Sequence, residues 1–477
     1  MNSFALIIFG ITGNLAQIKL IPALYDMAEK GVLPDNISII GISRQQKTKN
    51  EFEKYFWEIL HLDNIHHKHP IKEEVFKKLC KHLHYLSGDA QDINFYPKLQ
   101  NFLNTNNYKN RIFYLATYPT LYQIIFENLK KSNLDKSKTG WVRLILEKPI
   151  GVDLPSAKNL NKMLHQYFTE DQIYRLDHYL GKETLQNILT FRFSNEIFEP
   201  LINKKFVDHI QITAAEDFGI NKRGGYYESV GALKDVGQNH QLQMLTFATM
   251  DAPHEFSNDQ ITKQRIKILK NLIPNPAKVV FGQYQGYRDE FNVDKSSNID
   301  TFYAFKTEIK NERFNGVPIY IRAGKMLKQT VTEISIIFKN PNNRLLKHLD
   351  YGNTPNILIY RIQPNEGIVL KVLTKKPGHD AELEPSYMQF CYKTQTDSHF
   401  LPDPYERLLV DAIKGDQTFF NDAKEVEAQW RFTDPLSKTA TKPFIYKQGS
   451  WGPKEADELI QADGRTWLEP SMQFCAL

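Results

Sequence analysis

The sequence predicts an α/β domain built on a doubly wound parallel sheet, followed by a larger α+β domain whose sheet is predominantly antiparallel. Three observations carry this reading. Over roughly the first 150 residues, short and almost continuously apolar runs alternate with amphipathic stretches of helical period, the pattern of strands buried on both faces by crossover helices. After about residue 175 the apolar runs follow one another without a helix after each, as in an antiparallel sheet with helices packed on one face. The length, 477 residues, exceeds a single core and suits two large domains. The expected division is 1–175 and 176–477, with a C-terminal helix free to cross back to the first domain.

Taken in order, FALIIF (4–9) is the first strand, ended by Gly10 and followed by a helical pattern from about Asn14 to Lys30. ISIIGIS (37–43), RIFYLAT (111–117) and WVRLILE (141–147) are further buried strands, and EFEKYFWEIL (51–60) and TLYQIIFENLKK (120–131) are amphipathic helices between them. In the second domain IQITAAE (210–216), VPIYIRA (317–323), ISIIFK (334–339), ILIYRI (357–362) and IVLKVLT (368–374) read as strands. Helices gather at 178–192, 232–249, 262–272 and 405–416.

Composition narrows the function classes. Hydrophobic residues make up 41% and charged residues 24%, ordinary values for a folded protein. A formal charge of +5 is mild for this length; it fits an anionic small molecule or a solvated surface and not a nucleic-acid-binding stripe. A mean hydropathy of −0.46 with no long apolar run excludes a transmembrane helix, and Phe4 to Phe9 is too short for a signal peptide. Three widely separated cysteines, Cys80, Cys391 and Cys475, make no disulfide framework, so a reducing, cytoplasmic location is expected. His66, His67 and His69 lack a carboxylate or cysteine at ligand spacing and read as a solvated loop; no metal site is expected.

Gly10-Ile-Thr12-Gly13-Asn14-Leu15-Ala16 lies at the first strand–helix junction. A dinucleotide site needs small residues there for a tight turn and close pyrophosphate approach, and the helix N–H groups that follow face the anion. Gly13-x-x-Ala16 fits only the second half of G-x-G-x-x-G, but its position makes this a Rossmann-like, nucleotide-binding turn. The second strand ends Ser43-Arg44 rather than on an acid. A guanidinium beside a hydroxyl suits a 2′-phosphate, so NADP is favoured and NAD stays open.

Two segments concentrate reactive side chains. YRLDHYLGKE (174–183) holds Asp177, His178, Tyr179 and Lys182. If it opens a helix, His178 and Lys182 share a face at i and i+4 and make a phosphate seat at its N-terminus. GALKDVGQNHQLQ (231–243) places Asp235, Asn239 and His240 in an otherwise apolar helix.

RLDHYLGKE resembles the R-I-D-H-Y-L-G-K-E signature of the glucose-6-phosphate dehydrogenase family, with Leu176 as its only change. EKPIG (147–151), GITGNLA, DVGQNH and IRAGK (321–325) are similar to further motifs of that family, as are LPDPYERLLVDAIKGDQTFF and YKQGSWGP near the C-terminus, all in one register. The resemblance implies oxidation of glucose 6-phosphate at C1 to the lactone with hydride transfer to NADP+ or NAD+, the first step of the oxidative pentose phosphate pathway. It implies His240 as general base and Asp177 as the carboxylate that orients it and supports its protonated form, so that the active site closes where the two domains meet. His178, Tyr179 and Lys182 would hold the phosphate, while Glu216, Asp235, Lys325 and Lys328 would contact the sugar or its phosphate. Lys19 and Lys148 would sit where cofactor and substrate meet, Pro149 would carry a cis peptide, and the glycine turn with Arg44 would take the cofactor. A homodimer or homotetramer is implied, with no nucleic-acid or membrane partner. Three departures stand out: Asn14 replaces the usual Asp, Gln17 and Ile18 replace commonly basic residues, and Lys325 and Lys328 are more closely spaced than usual.

Overall fold

The computed structural model describes residues 3–62, 70–340, 354–379, 382–392, 401–439 and 442–475, which form two compact units. His66, His67 and His69 lie outside the described residues. The first unit comprises Met1–Gly151, Pro155–Gly181 and Pro402–Ala423; the second comprises Val152–Leu154, Lys182–Leu401 and Lys424–Leu477.

Six parallel strands form the sheet of the first unit: β1 (Phe4–Phe9), β2 (Ile37–Ser43), β3 (Leu83–Ser87), β4 (Asn110–Leu115), β5 (Val142–Leu146) and β6 (Ile173–Arg175). Their order is β3-β2-β1-β4-β5-β6, the doubly wound arrangement, with its switch point between β1 and β4. Every residue of β1 is buried, as a strand covered by helices on both faces requires. Helix Lys49–Leu60 starts on a capping box, the Thr48 hydroxyl accepting the Glu51 N–H and the Glu51 carboxylate accepting the Thr48 N–H. Helix Pro404–Lys414 carries the fuller set of signals: Asp403 and Glu406 form a capping box, Pro404 opens the helix, and Gly415 ends it at φ +86°. The buried Glu406 also takes an ion pair from Lys30 at 2.7 Å, so this late segment belongs to the first unit.

A nine-stranded sheet forms the second unit: β7 (Val207–Ala215), β8 (Val279–Tyr284), β9 (Phe302–Thr307), β10 (Ile319–Gly324), β11 (Val331–Phe338), β12 (Ile357–Gln363), β13 (Gly367–Lys375), β14 (Leu383–Cys391) and β15 (Phe444–Tyr446). The order is β14-β13-β12-β11-β7-β10-β9-β8-β15, and only the β7/β10 and β8/β15 pairs are parallel. This is the predominantly antiparallel sheet that the sequence predicts.

Two expectations are corrected here. Cys391, at the end of edge strand β14, is disulfide-bonded to Cys475, 84 residues later. Wide spacing in sequence does not prevent pairing once the C-terminal segment returns to the sheet edge. The second concerns the phosphate seat: His178 lies in a short 3₁₀ turn (His178–Gly181), and Lys182 caps the helix that begins at Glu183 with extended backbone. The i, i+4 relation of one helical face does not hold. No helix among the described residues is long and apolar enough to cross a membrane.

Candidate active site

In the first unit the glycine turn is clamped at the carboxyl ends of the central strands. Gly10 and Ile11 donate their N–H groups to Ile42 O, and Ala116 donates to Phe9 O. Gly10 has φ +82°, and a Cβ there would lie 2.5 Å from Ala116 O, so only glycine fits. Gly13 donates to Gly10 O at 2.8 Å, and Gln17 to Gly13 O at 3.1 Å, as the chain enters the helical run. This cradle of small residues at a switch point fits the pyrophosphate of a dinucleotide. Gln17, one of the departures from the family pattern, supports the turn, its amide donating to Thr12 O and to the Tyr55 hydroxyl. Asn14 and Lys19 are exposed, and Thr12 and Leu15 are half-buried. Arg44 is exposed in the turn after β2, and the Ser43 hydroxyl before it is hydrogen-bonded to Tyr85 at 2.7 Å.

The ends of β4, β5 and β6 gather the other predicted residues of this unit. Lys148 is joined to Pro149 by a cis peptide, as the resemblance implies. Asp177, just past β6, is buried, and its carboxylate accepts the Tyr179 N–H at 2.9 Å, closing the 177–179 turn. The His178 ring meets Tyr179 edge-on at 5.0 Å and stacks on Tyr405 at 6.3 Å with 14° between planes.

Sequence reasoning missed Glu147 here. It is buried at the end of β5, where it accepts a hydrogen bond from the Tyr114 hydroxyl, and its carboxyl is also hydrogen-bonded by the Tyr405 hydroxyl and the Lys148 N–H. Burial pushes this carboxyl up to about 7 against the opposing pull of those partners. The available signal was an acid directly ending an apolar strand.

The second unit contributes a separate group. Glu216 and Lys325 stand just past the paired ends of the parallel strands β7 and β10, and form an ion pair. The Lys325 ammonium lies 5.2 Å from the Phe218 ring centre and 5.5 Å from that of Tyr227. Its backbone is pinned as well: the N–H donates to Thr301 O and the Tyr446 hydroxyl donates to its carbonyl. Lys328 is instead exposed and paired with Glu469.

His240 and Asp235 share the π-helical segment Leu233–Gln241, in which residues five apart are related by the i→i+5 hydrogen-bonding step. Both are buried, and Asp235 accepts a hydrogen bond from Tyr226 at 3.1 Å. The start of this segment is set by Asp300, which sequence reasoning also missed. Gly231, at φ +70°, breaks the preceding helix against the Asp300 carboxylate, and that carboxylate accepts the Leu233 N–H at 2.8 Å. Burial pushes Asp300 up to about 6, and the Leu233 N–H opposes the shift. At the other end, the Tyr303 hydroxyl donates to Gln241, whose amide donates to Arg322 O. The helix that carries His240 is thus fixed at both ends.

Comparison with known proteins agrees with these features along the whole chain. Residues 7–187 match the family model of the glucose-6-phosphate dehydrogenase NAD binding domain, and residues 189–468 match that of the C-terminal domain. A glucose-6-phosphate 1-dehydrogenase of Chlamydia muridarum (strain MoPn / Nigg) is 39% identical over 492 residues, covering 97% of this chain and 96% of the relative. The crystal structure of a glucose-6-phosphate 1-dehydrogenase from Mycobacterium avium aligns with a TM-score of 0.89 and 33% identity over 99% of both chains. A glucose-6-phosphate dehydrogenase solved in complex with its substrate glucose 6-phosphate aligns with a TM-score of 0.90 and 31% identity, over 98% of this chain and 99% of that one. With both domains matched over nearly their full length, this chain belongs to the glucose-6-phosphate dehydrogenase family.

Proposed function

We propose that this protein oxidises the C1 hydroxyl of D-glucose 6-phosphate to 6-phospho-D-glucono-1,5-lactone, passing hydride to NADP+ or NAD+ with NADP+ preferred, as the first step of the oxidative pentose phosphate pathway. The observation that carries this reading is the 39% identity to a glucose-6-phosphate 1-dehydrogenase across 97% of the chain. A nicotinamide dinucleotide, its pyrophosphate held by the glycine turn, would supply the hydride acceptor. The chain's own residues do the rest. His240 takes the hydroxyl proton, which a neutral imidazole can do at neutral pH, and Asp177 supports the imidazolium. His178, Tyr179 and Lys182 hold the phosphate. Glu216 and Asp235 accept from sugar hydroxyls, Lys325 donates to them, and Lys328 is the outermost contact. Lys19 and Lys148 serve where substrate and cofactor meet. The protein works as a homodimer or homotetramer in the cytoplasm, which sedimentation of the purified chain and fractionation of the source cells test.

The direct test follows NADPH absorbance with glucose 6-phosphate, glucose and fructose 6-phosphate. Rapid formation with glucose 6-phosphate alone is the expected outcome; equal rates with glucose, or none with any sugar, would overturn the assignment.

The cofactor preference rests on Arg44, with no acid at the end of β2 to hold a ribose hydroxyl. Arg44→Ala is expected to raise the KM for NADP+ by about tenfold or more, the scale of one charge-assisted contact, and to leave that for NAD+ within about twofold. Steady-state kinetics with both cofactors checks this. Parallel changes would place the 2′-phosphate elsewhere.

A further inference from the structure

We propose that Glu147 is a positioning residue for the phosphate end of the substrate, acting through Tyr405 on His178. The proposal deepens the dehydrogenase reading and rests on it.

All the groups involved lie in the first unit. Glu147 sits where β5 ends, and its carboxyl gathers the Tyr114 hydroxyl from β4, the Tyr405 hydroxyl from helix Pro404–Lys414 and the N–H of Lys148. Tyr114 and Tyr405 are both buried, so no water competes for these bonds at the core side. The other face of the link is the stack between Tyr405 and His178, whose planes differ by only 14°. Tyr405 therefore has two constraints: its hydroxyl is tied to Glu147, and its ring supports the imidazole.

Neighbouring features hold the two ends of this link still. The Asp403–Glu406 capping box and the Lys30–Glu406 ion pair fix the helix that carries Tyr405. Asp177 closes the turn that carries His178 through the Tyr179 N–H. With both backbones anchored, the remaining freedom is rotation of the Tyr405 side chain, and the Glu147 carboxylate removes it. A carboxylate in this buried place is costly to desolvate, and burial pushes it up to about 7 even against the opposing pull of its hydrogen-bond donors and the Lys148 charge. An apolar side chain would fill the same volume without that cost. What it would not supply is an acceptor strong enough to aim two tyrosine hydroxyls at once.

The consequence is specific to the phosphate. Glu147→Gln keeps the shape but removes the charge and turns one acceptor oxygen into a donor, so Tyr114, Tyr405 and the Lys148 N–H are left with a single, neutral and weaker acceptor. Tyr405→Phe keeps the ring and removes the hydroxyl. Each variant is expected to lower the ratio of kcat/KM for glucose 6-phosphate over glucose by about tenfold, the scale of one misdirected hydrogen bond. The Ki of inorganic phosphate as a competitor should rise in step, and kcat/KM for glucose should stay within about twofold. Because both substitutions cut one link, the double variant should lose no more than either single one.

A merely structural role would lower both sugars together, and that result overturns the proposal, as does an unchanged ratio or full additivity in the double variant. If Glu147→Gln does not fold, Tyr405→Phe decides alone by the same ratio. The wild type is measured first: an absence of preference for glucose 6-phosphate would overturn the dehydrogenase reading itself, whereas a strong preference that both variants retain overturns only the role of Glu147.

Discussion

Replacing His240 by Asn is expected to reduce turnover by roughly 10²–10⁴-fold, the contribution of a well-placed general base. The helix carrying this residue is held by Asp300 at its start and by the Gln241–Tyr303 bond at its end, so the substitution leaves the backbone frame in place. Asparagine keeps approximate size and a hydrogen-bonding group but cannot take up the proton. Substrate affinity should change little, because the residues proposed for the phosphate and sugar are untouched. The measurement pairs fluorescence titration of glucose 6-phosphate with steady-state turnover. Near-wild-type turnover in this variant would remove the proposed mechanism whatever the binding shows, and a large loss of affinity with little loss of kcat would make His240 a binding residue.

The largest expected effect on stability lies in the second unit. Arg265 and Glu425 are both fully buried, and the guanidinium meets the carboxylate in a two-pronged pair, Nε to Oε1 at 2.8 Å and a terminal nitrogen to Oε2 at 3.1 Å. Gln243 reaches the same carboxylate at 3.5 Å, and the guanidinium lies 5.6 Å from the Phe247 ring centre. Breaking such a pair from one side leaves a charge in the core without its counterion, at a cost of about 3–5 kcal/mol. Glu425→Ala should therefore lower the urea midpoint sharply. Replacing both partners by apolar residues of similar volume, Arg265→Met with Glu425→Leu, should recover most of the loss, since no unpaired charge then remains. Urea unfolding of the wild type and the two variants checks this. Equal destabilisation by the single and double changes would show that the effect is packing and not charge.

Much of the first unit was legible because its central strands are buried on both faces. β1, β2, β4 and β5 read as almost continuously apolar runs, and each lies within a residue or two of its expected place. β3 (LHYLS) and β6 (IYR) were not seen: one mixes polar residues into five positions, and the other is only three residues long. In the second unit β14 (LEPSYMQFC) escaped notice because an exposed edge strand tolerates Pro385 and polar side chains that a central strand would not. The proposed site residues were read from their motifs, which record residue types and not partners. For that reason Lys148 was singled out and the adjacent Glu147 was not: its partners Tyr114 and Tyr405 come from distant parts of the sequence. Asp300 was invisible for the same reason, since it caps a helix that begins some seventy residues before it. The helical reading of 178–182 failed because nothing in HYLGK distinguishes a 3₁₀ turn with an extended cap from a first helical turn.

The composition of the first unit gives its folding a timetable. Its sheet ends at β6, yet the segment that covers the outer edge of β6 is Pro402–Ala423. Asn421 donates to Arg175 O at 3.0 Å, and the Gln417 amide donates to Ile173 O at 2.9 Å and Glu170 O at 3.0 Å. A ribosome adding about 5–20 residues per second therefore makes residue 402 roughly 10–45 s after residue 181. Throughout that interval the nascent unit presents a bare strand edge, an invitation to pair with other chains. The first domain to be started thus stays unfinished until most of the second has been made, and a chaperone that shields β6 should matter more to the yield of this protein than one acting after release.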